Sequence, residues 1–80
     1  MGWEESSAAG AEAFQKGLYD KAERHFASAL AEAKKLGKDD PRLAQAMNDL
    51  AMLYHALGRL TEAEPLYRRA ISIDEKQGER

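Results

Sequence analysis

Apolar and small residues recur at intervals of three and four along most of the chain. Leu50, Leu53 and Leu57 follow this spacing, and so do Ala22 and Phe26. Side chains three and four positions apart lie on the same face of an α-helix, whereas a half-buried strand alternates apolar and polar residues. The pattern therefore predicts amphipathic helices.

Glycines and capping residues divide this pattern into four segments. The segments end at glycines, where a left-handed backbone conformation can terminate a helix: Gly17, Gly37, Gly58 and Gly78. Helix starts are indicated by Asp20 and Thr61, each three residues before a glutamate, and by Asp40 in front of Pro41. These signals predict helices over about residues 4–16, 20–36, 41–57 and 61–77. Because the connections are short, consecutive helices must run antiparallel.

The second half of the chain repeats the first. A single shift in register, which we call the repeat shift, aligns identical residues in the two halves: Gly17 with Gly58, Ala22 with Ala63, Glu23 with Glu64, Ala29 with Ala70 and Gly37 with Gly78. A repeat of this kind that encodes a helical hairpin is typical of a helical solenoid. We therefore expect one all-α domain over residues 1–80, with repeat one at about residues 4–37 and repeat two at about residues 41–78.

The composition favours helices and excludes several functional classes. The chain has 15 alanines and no valine, and strands draw on β-branched residues. A net charge of −2 argues against a basic nucleic-acid binder, and the lack of cysteine excludes disulfides and cysteine-based zinc sites. The uncharged run at 50–58 is too short to span a bilayer, and the first residues do not form a signal peptide. We expect a cytoplasmic protein that binds neither membranes nor nucleic acid.

Catalytic chemistry has little support in the sequence. His25 and His55 lie in different predicted helices, and neither lies in a metal-ligand spacing such as His-Glu-x-x-His. No nucleophile has a base beside it, and there is no glycine-rich phosphate loop. We expect no enzymatic activity, no metal and no cofactor. Metal bound in stoichiometric amounts after purification would contradict this expectation.

Three segments of the second half resemble a tetratricopeptide repeat: Leu50-Ala-Met-Leu-Tyr54, Gly58-Arg-Leu60 and Glu62-Ala-Glu-Pro-Leu-Tyr-Arg-Arg-Ala-Ile71. The last segment is most similar to the longer variety of this repeat found in kinesin light chains. In the first half, Gly10, Gly17 and Phe26 occupy the small and large positions of the family. The resemblance implies two antiparallel helix hairpins stacked as a short right-handed solenoid, and a non-catalytic role in protein–protein interaction.

The resemblance also implies a binding surface. In such proteins the first helix of each hairpin lines a concave face that holds a peptide or a partner helix. The positions carried over to this chain are Gln45, Asn48, Asp49, Met52 and His55 from repeat two, and Ser7, Ala11 and Gln15 from repeat one. Ser7, Ala11 and Asp49 stand where the carboxylate-gripping members carry cations and amides, so binding of a C-terminal carboxylate is not expected. The plain alternative is that this row is only the polar face of two amphipathic helices.

The end of the chain predicts self-association. Repeat units bury their faces against neighbours, and this chain has two. Leu66, Ala70 and Ile73 share one side of the last predicted helix, and we expect them to point outward. A second copy of the chain, as a homodimer or larger homo-oligomer, or the rest of a longer protein would cover them. Two function classes stay open: an interaction scaffold that binds a protein or peptide, and an excised or engineered self-assembling module without a specific ligand.

Overall fold

Four helices account for most of the computed structural model, which describes residues 2–78. They are α1 (Trp3–Gln15), α2 (Tyr19–Lys34), α3 (Pro41–Ala56) and α4 (Leu60–Gln77). No strand occurs within this range. Helix α1 packs against α2, α3 packs against α4, and α2 joins the two pairs by packing against α3. The all-α prediction of two stacked helical hairpins is thus confirmed.

The two tight turns within the hairpins are copies of each other. Gly17 and Gly58 have φ angles of 76° and 78°, in the left-handed region that glycine adopts without steric cost. After each glycine, the next residue returns to the preceding helix: Leu18 N–H donates to Ala13 O over 2.9 Å, and Arg59 N–H donates to Tyr54 O over 2.8 Å. Gly37 also has a positive φ. Gly78 does not (φ −86°), so the prediction of a left-handed cap there is wrong.

Helix starts follow the sequence signals at only one of three positions. Asp40 caps α3 as predicted, because its carboxylate accepts a hydrogen bond from Arg42 N–H over 2.8 Å. Asp20 and Thr61 are not caps; α2 and α4 start one residue earlier, after Leu18 and Arg59, which make no side-chain capping bond. The hydrogen bonds that close the glycine turns end at Leu18 and Arg59, and the next helix begins directly after each of these residues. Asp20 and Thr61 therefore lie in the first helical turn.

The first hairpin is held by close contact between a glycine and an aromatic ring. Phe26 is 1% exposed, and its ring lies against Gly10 of α1. A Cβ atom at Gly10 would lie 2.6 Å from the ring, so any larger residue requires the helices to separate. Ala22 is also buried in this cluster, which includes Leu50 and Leu53 of α3. Residues of the second hairpin therefore complete the core of the first.

Helix α4 faces inward with the residues that the sequence placed outward. Ala70 and Ile73 are 4% and 2% exposed and pack in a cluster with Leu43 and Met47 of α3. Leu66 is half-buried against the core. The prediction of an exposed row at Leu66, Ala70 and Ile73 is therefore wrong. Together with buried Ala63, these residues recur at intervals of three and four positions along α4. They form the apolar stripe by which α4 packs against α3.

Candidate interaction surfaces

Helices α1 and α3 form one wall of the protein, and a side-chain hydrogen bond joins them. Ser7 Oγ on α1 donates to Asp49 Oδ2 on α3 over 2.9 Å. Burial raises the pKa of Asp49, and the bond from Ser7 opposes this rise only in part. The pairing brings two residues that are distant in the chain, one from each hairpin, to the same surface.

A shallow concavity of about 380 Å³ surrounds this hydrogen bond. We call it the inner groove, and its lining residues are Trp3, Glu4, Ser7, Ala8, Ala11, Gln45 and Asp49. Four of the eight predicted inner-face residues therefore meet in one groove. Asn48 and Met52 lie outside the lining, although Met52 is 44% exposed on α3, and Gln15 is exposed at the end of α1.

Trp3 also lines the inner groove, although the family resemblance does not imply this position. Its side chain is half-buried, and it packs against the core cluster that contains Leu43 and Ile73. The tryptophan thus connects the groove with the protein interior. An available signal was its position as the chain's one tryptophan, immediately before the first predicted helix.

A second groove, of about 360 Å³, runs along the outer side of α4. We call it the α4 groove, and its lining residues are His55, Leu60, Ala63, Glu64, Tyr67, Arg68 and Ile71. Leu60 and Ile71 are 54% and 57% exposed, which makes them the most exposed large apolar residues of the described part of the chain. His55, predicted for the inner face, lines this groove instead, together with the ion pair between Glu64 and Arg68.

The junction between the hairpins carries a polar cluster. Tyr54 Oη donates to Glu23 Oε2 over 2.9 Å, so α3 is bonded to α2. Arg59 lies over the Tyr54 ring at 4.5 Å, and its guanidinium is 3.5 Å from Glu23 and 2.6 Å from Glu62. Burial and the Glu23 carboxylate raise the pKa of Tyr54, while the Glu62 carboxylate raises the pKa of Arg59. The cluster therefore links α2 of the first hairpin to α3 and the turn of the second hairpin.

Within residues 2–78, no group of three or more histidine, aspartate or glutamate side chains is placed to hold a metal ion. His25 lies on α2 and His55 on α3. None of the four helices, over the range described, is long and apolar enough to cross a membrane.

Stacked helical hairpins, an internal sequence repeat and matching glycine turns define a helical repeat protein. The family model of the tetratricopeptide repeat matches residues 6–76. The chain therefore belongs to the tetratricopeptide repeat family, whose members commonly serve as protein–protein interaction modules. No curated protein is significantly similar to the chain.

Proposed function

We propose that the chain is a non-catalytic interaction module of the kinesin-light-chain-like variety, and that it holds an extended segment of a partner protein on the inner face of α1 and α3. The observation that carries this proposal is the inner groove around the bond between Ser7 and Asp49. The similarity of the segment from Glu62 to Ile71 supports the variety, and the repeat shift divides the chain into repeat one, about residues 4–37, and repeat two, about residues 41–78.

The chemistry of the inner face suits a peptide with cationic side chains. Gln45 and Asn48 carry amides, which donate to and accept from a peptide backbone. Glu4 and Asp49 provide negative charge in the groove, and Met52 provides an adaptable apolar contact beside it. A cytoplasmic location, and a lack of affinity for nucleic acid and membranes, stay predictions of the sequence.

Selection of a random displayed peptide library against the folded chain tests this function. Selected peptides should bind the Gln45→Ala, Asp49→Asn double variant at least tenfold more weakly, because the variant loses an amide hydrogen bond worth about 1 kcal/mol and a negative charge in the inner groove. Glu12→Gln is the matched control, since it also removes a negative charge and Glu12 is exposed on α1 outside the inner groove. Equal affinity for both variants would contradict binding at the inner face.

Self-association through the α4 groove is a second function of the same module. The observation that favours it is the exposure of Leu60 and Ile71 in one groove with Tyr67, because adjoining exposed apolar side chains mark contact surfaces. Sedimentation of the unmodified chain should show at least twice the chain mass of 8.9 kDa at micromolar concentrations. A constant mass of one chain up to millimolar concentrations would exclude this function and leave the inner-face proposal intact.

A further inference from the structure

The outer face of α4 reproduces a face that already holds a helix elsewhere in the chain. In the first hairpin, Phe26 and Leu30 of α2 pack against α3, and Glu23 accepts a hydrogen bond from Tyr54 of α3. The repeat shift relates these positions to the α4 groove: Glu23 to Glu64, Phe26 to Tyr67 and Leu30 to Ile71. A helix is therefore the shape of occupant that the α4 groove fits.

Helix α1 of a second copy lacks the large side chains that would fill the α4 groove. The α3 residues that face α2 include Met47, Leu50 and Tyr54, and the repeat shift relates them to much smaller residues of α1. These smaller residues are Ser6, Ala9 and Ala13. Ser6 and Ala13 are moreover 1% and 7% exposed within their own hairpin. Head-to-tail stacking, which would build an open filament, lacks the large side chains that the groove would receive.

Helix α4 is instead complementary to itself. Glu64 and Arg68 lie symmetrically about residue 66, and the midpoint of Leu60 and Ile71 falls at almost the same level. When two α4 helices cross antiparallel at this level, Glu64 of each copy meets Arg68 of the other, and Leu60 meets Ile71. Such a contact uses the same patch on both copies and closes after two.

We propose that two copies of the chain pair through their α4 grooves as an antiparallel, two-fold symmetric dimer centred near residue 66. This proposal rests on the self-association half of the proposed function and specifies its partner and geometry. Opposite charges fix the direction of the helices, and the apolar residues on either side provide the buried contact.

Charge exchange at the centre tests the symmetry. Glu64→Arg alone places two cations in each groove, and Arg68→Glu alone places two anions there. Each variant should dimerise at least tenfold more weakly than the unmodified chain, because like charges then face each other. An equimolar mixture of the two should form heterodimers, and the double variant Glu64→Arg, Arg68→Glu should dimerise like the unmodified chain. Sedimentation and native mass spectrometry measure these species.

The controls distinguish two-fold pairing of α4 from self-association of any other geometry. The side chains of Glu64 and Arg68 are largely exposed, at 62% and 77%, so the variants should keep the far-ultraviolet circular dichroism of the unmodified chain. Single variants that still dimerise, or a mixture that does not form heterodimers, would overturn the two-fold pairing while leaving self-association standing. Assemblies that grow without limit as concentration rises would overturn it in favour of head-to-tail stacking. A monomeric unmodified chain would overturn both.

Discussion

Replacement of Phe26 by alanine should lower the free energy of unfolding by about 3–5 kcal/mol. The ring is 1% exposed and fills the space between the two hairpins, where Leu53 of α3 is fully buried. A chain of this length has a total stability of only about 4–12 kcal/mol, so the variant should lose a quarter of it or more and melt at least about 12 °C lower. Urea denaturation followed by circular dichroism measures the loss. Tyr19→Ala, also on α2 but 42% exposed, should cost less than about 1 kcal/mol.

A second substitution tests whether the Phe26 ring limits the size of the residue at position 10. In the unmodified chain Gly10→Ala should destabilise, because the new Cβ atom would lie 2.6 Å from the Phe26 ring. In the Phe26→Ala background the ring is gone, and alanine should stabilise the helix by up to about 1 kcal/mol relative to glycine. The two effects should therefore differ in sign. Equal effects in both backgrounds would show that the ring does not limit residue size at position 10.

Ile73→Glu should unfold the protein, whereas Ile71→Glu should leave it folded and weaken self-association. Ile73 is 2% exposed in the core, and an unpaired carboxylate there loses its hydration, at a cost of several kcal/mol. Ile71, two positions away on the same helix, is 57% exposed, so a charge there stays in water. Thermal melting measures folding, and sedimentation measures mass.

Ile71→Glu and Ile73→Glu introduce the same charge two positions apart on one helix, so each variant is the control for the other. A folded, monomeric Ile73→Glu variant would support the outward orientation that the sequence first indicated. An unfolded Ile71→Glu variant would show that the outer face of α4 is covered within one chain. Either result would require a different packing of α4.

The helices and the stacking of hairpins followed from sequence patterns, but the direction of α4 did not. Helix α4 carries two apolar rows, one with Ala70 and Ile73 and one with Leu60 and Ile71. Periodicity identifies both rows and does not indicate which of them meets α3, because that depends on the turn geometry before the helix. The capping signals at Asp20 and Thr61 failed for a related reason, since backbone bonds of the preceding turn set the first residue of each helix.

The candidate site was predicted in part, because resemblance supplies positions on a helix but not contacts between helices. It assigned Ser7, Gln45 and Asp49 to one face, and all three line the inner groove. The bond from Ser7 to Asp49, and the bond from Tyr54 to Glu23, join residues far apart in the chain. Spacing within one helix carries no information about such pairs.

Buried residues are distributed unevenly, and this has a consequence for local opening. Helix α1 contributes three buried residues and α3 contributes seven. The polar cluster of Tyr54, Glu23 and Arg59 ties α2 to the second hairpin and does not include α1. Detachment of α1 therefore costs less free energy than opening of α3, and the amide hydrogens of α1 should exchange before those of α3. A partner that spans α1 and α3 beside the bond from Ser7 to Asp49 would suppress this fraying, so ligand binding and protection from proteolysis are thermodynamically linked.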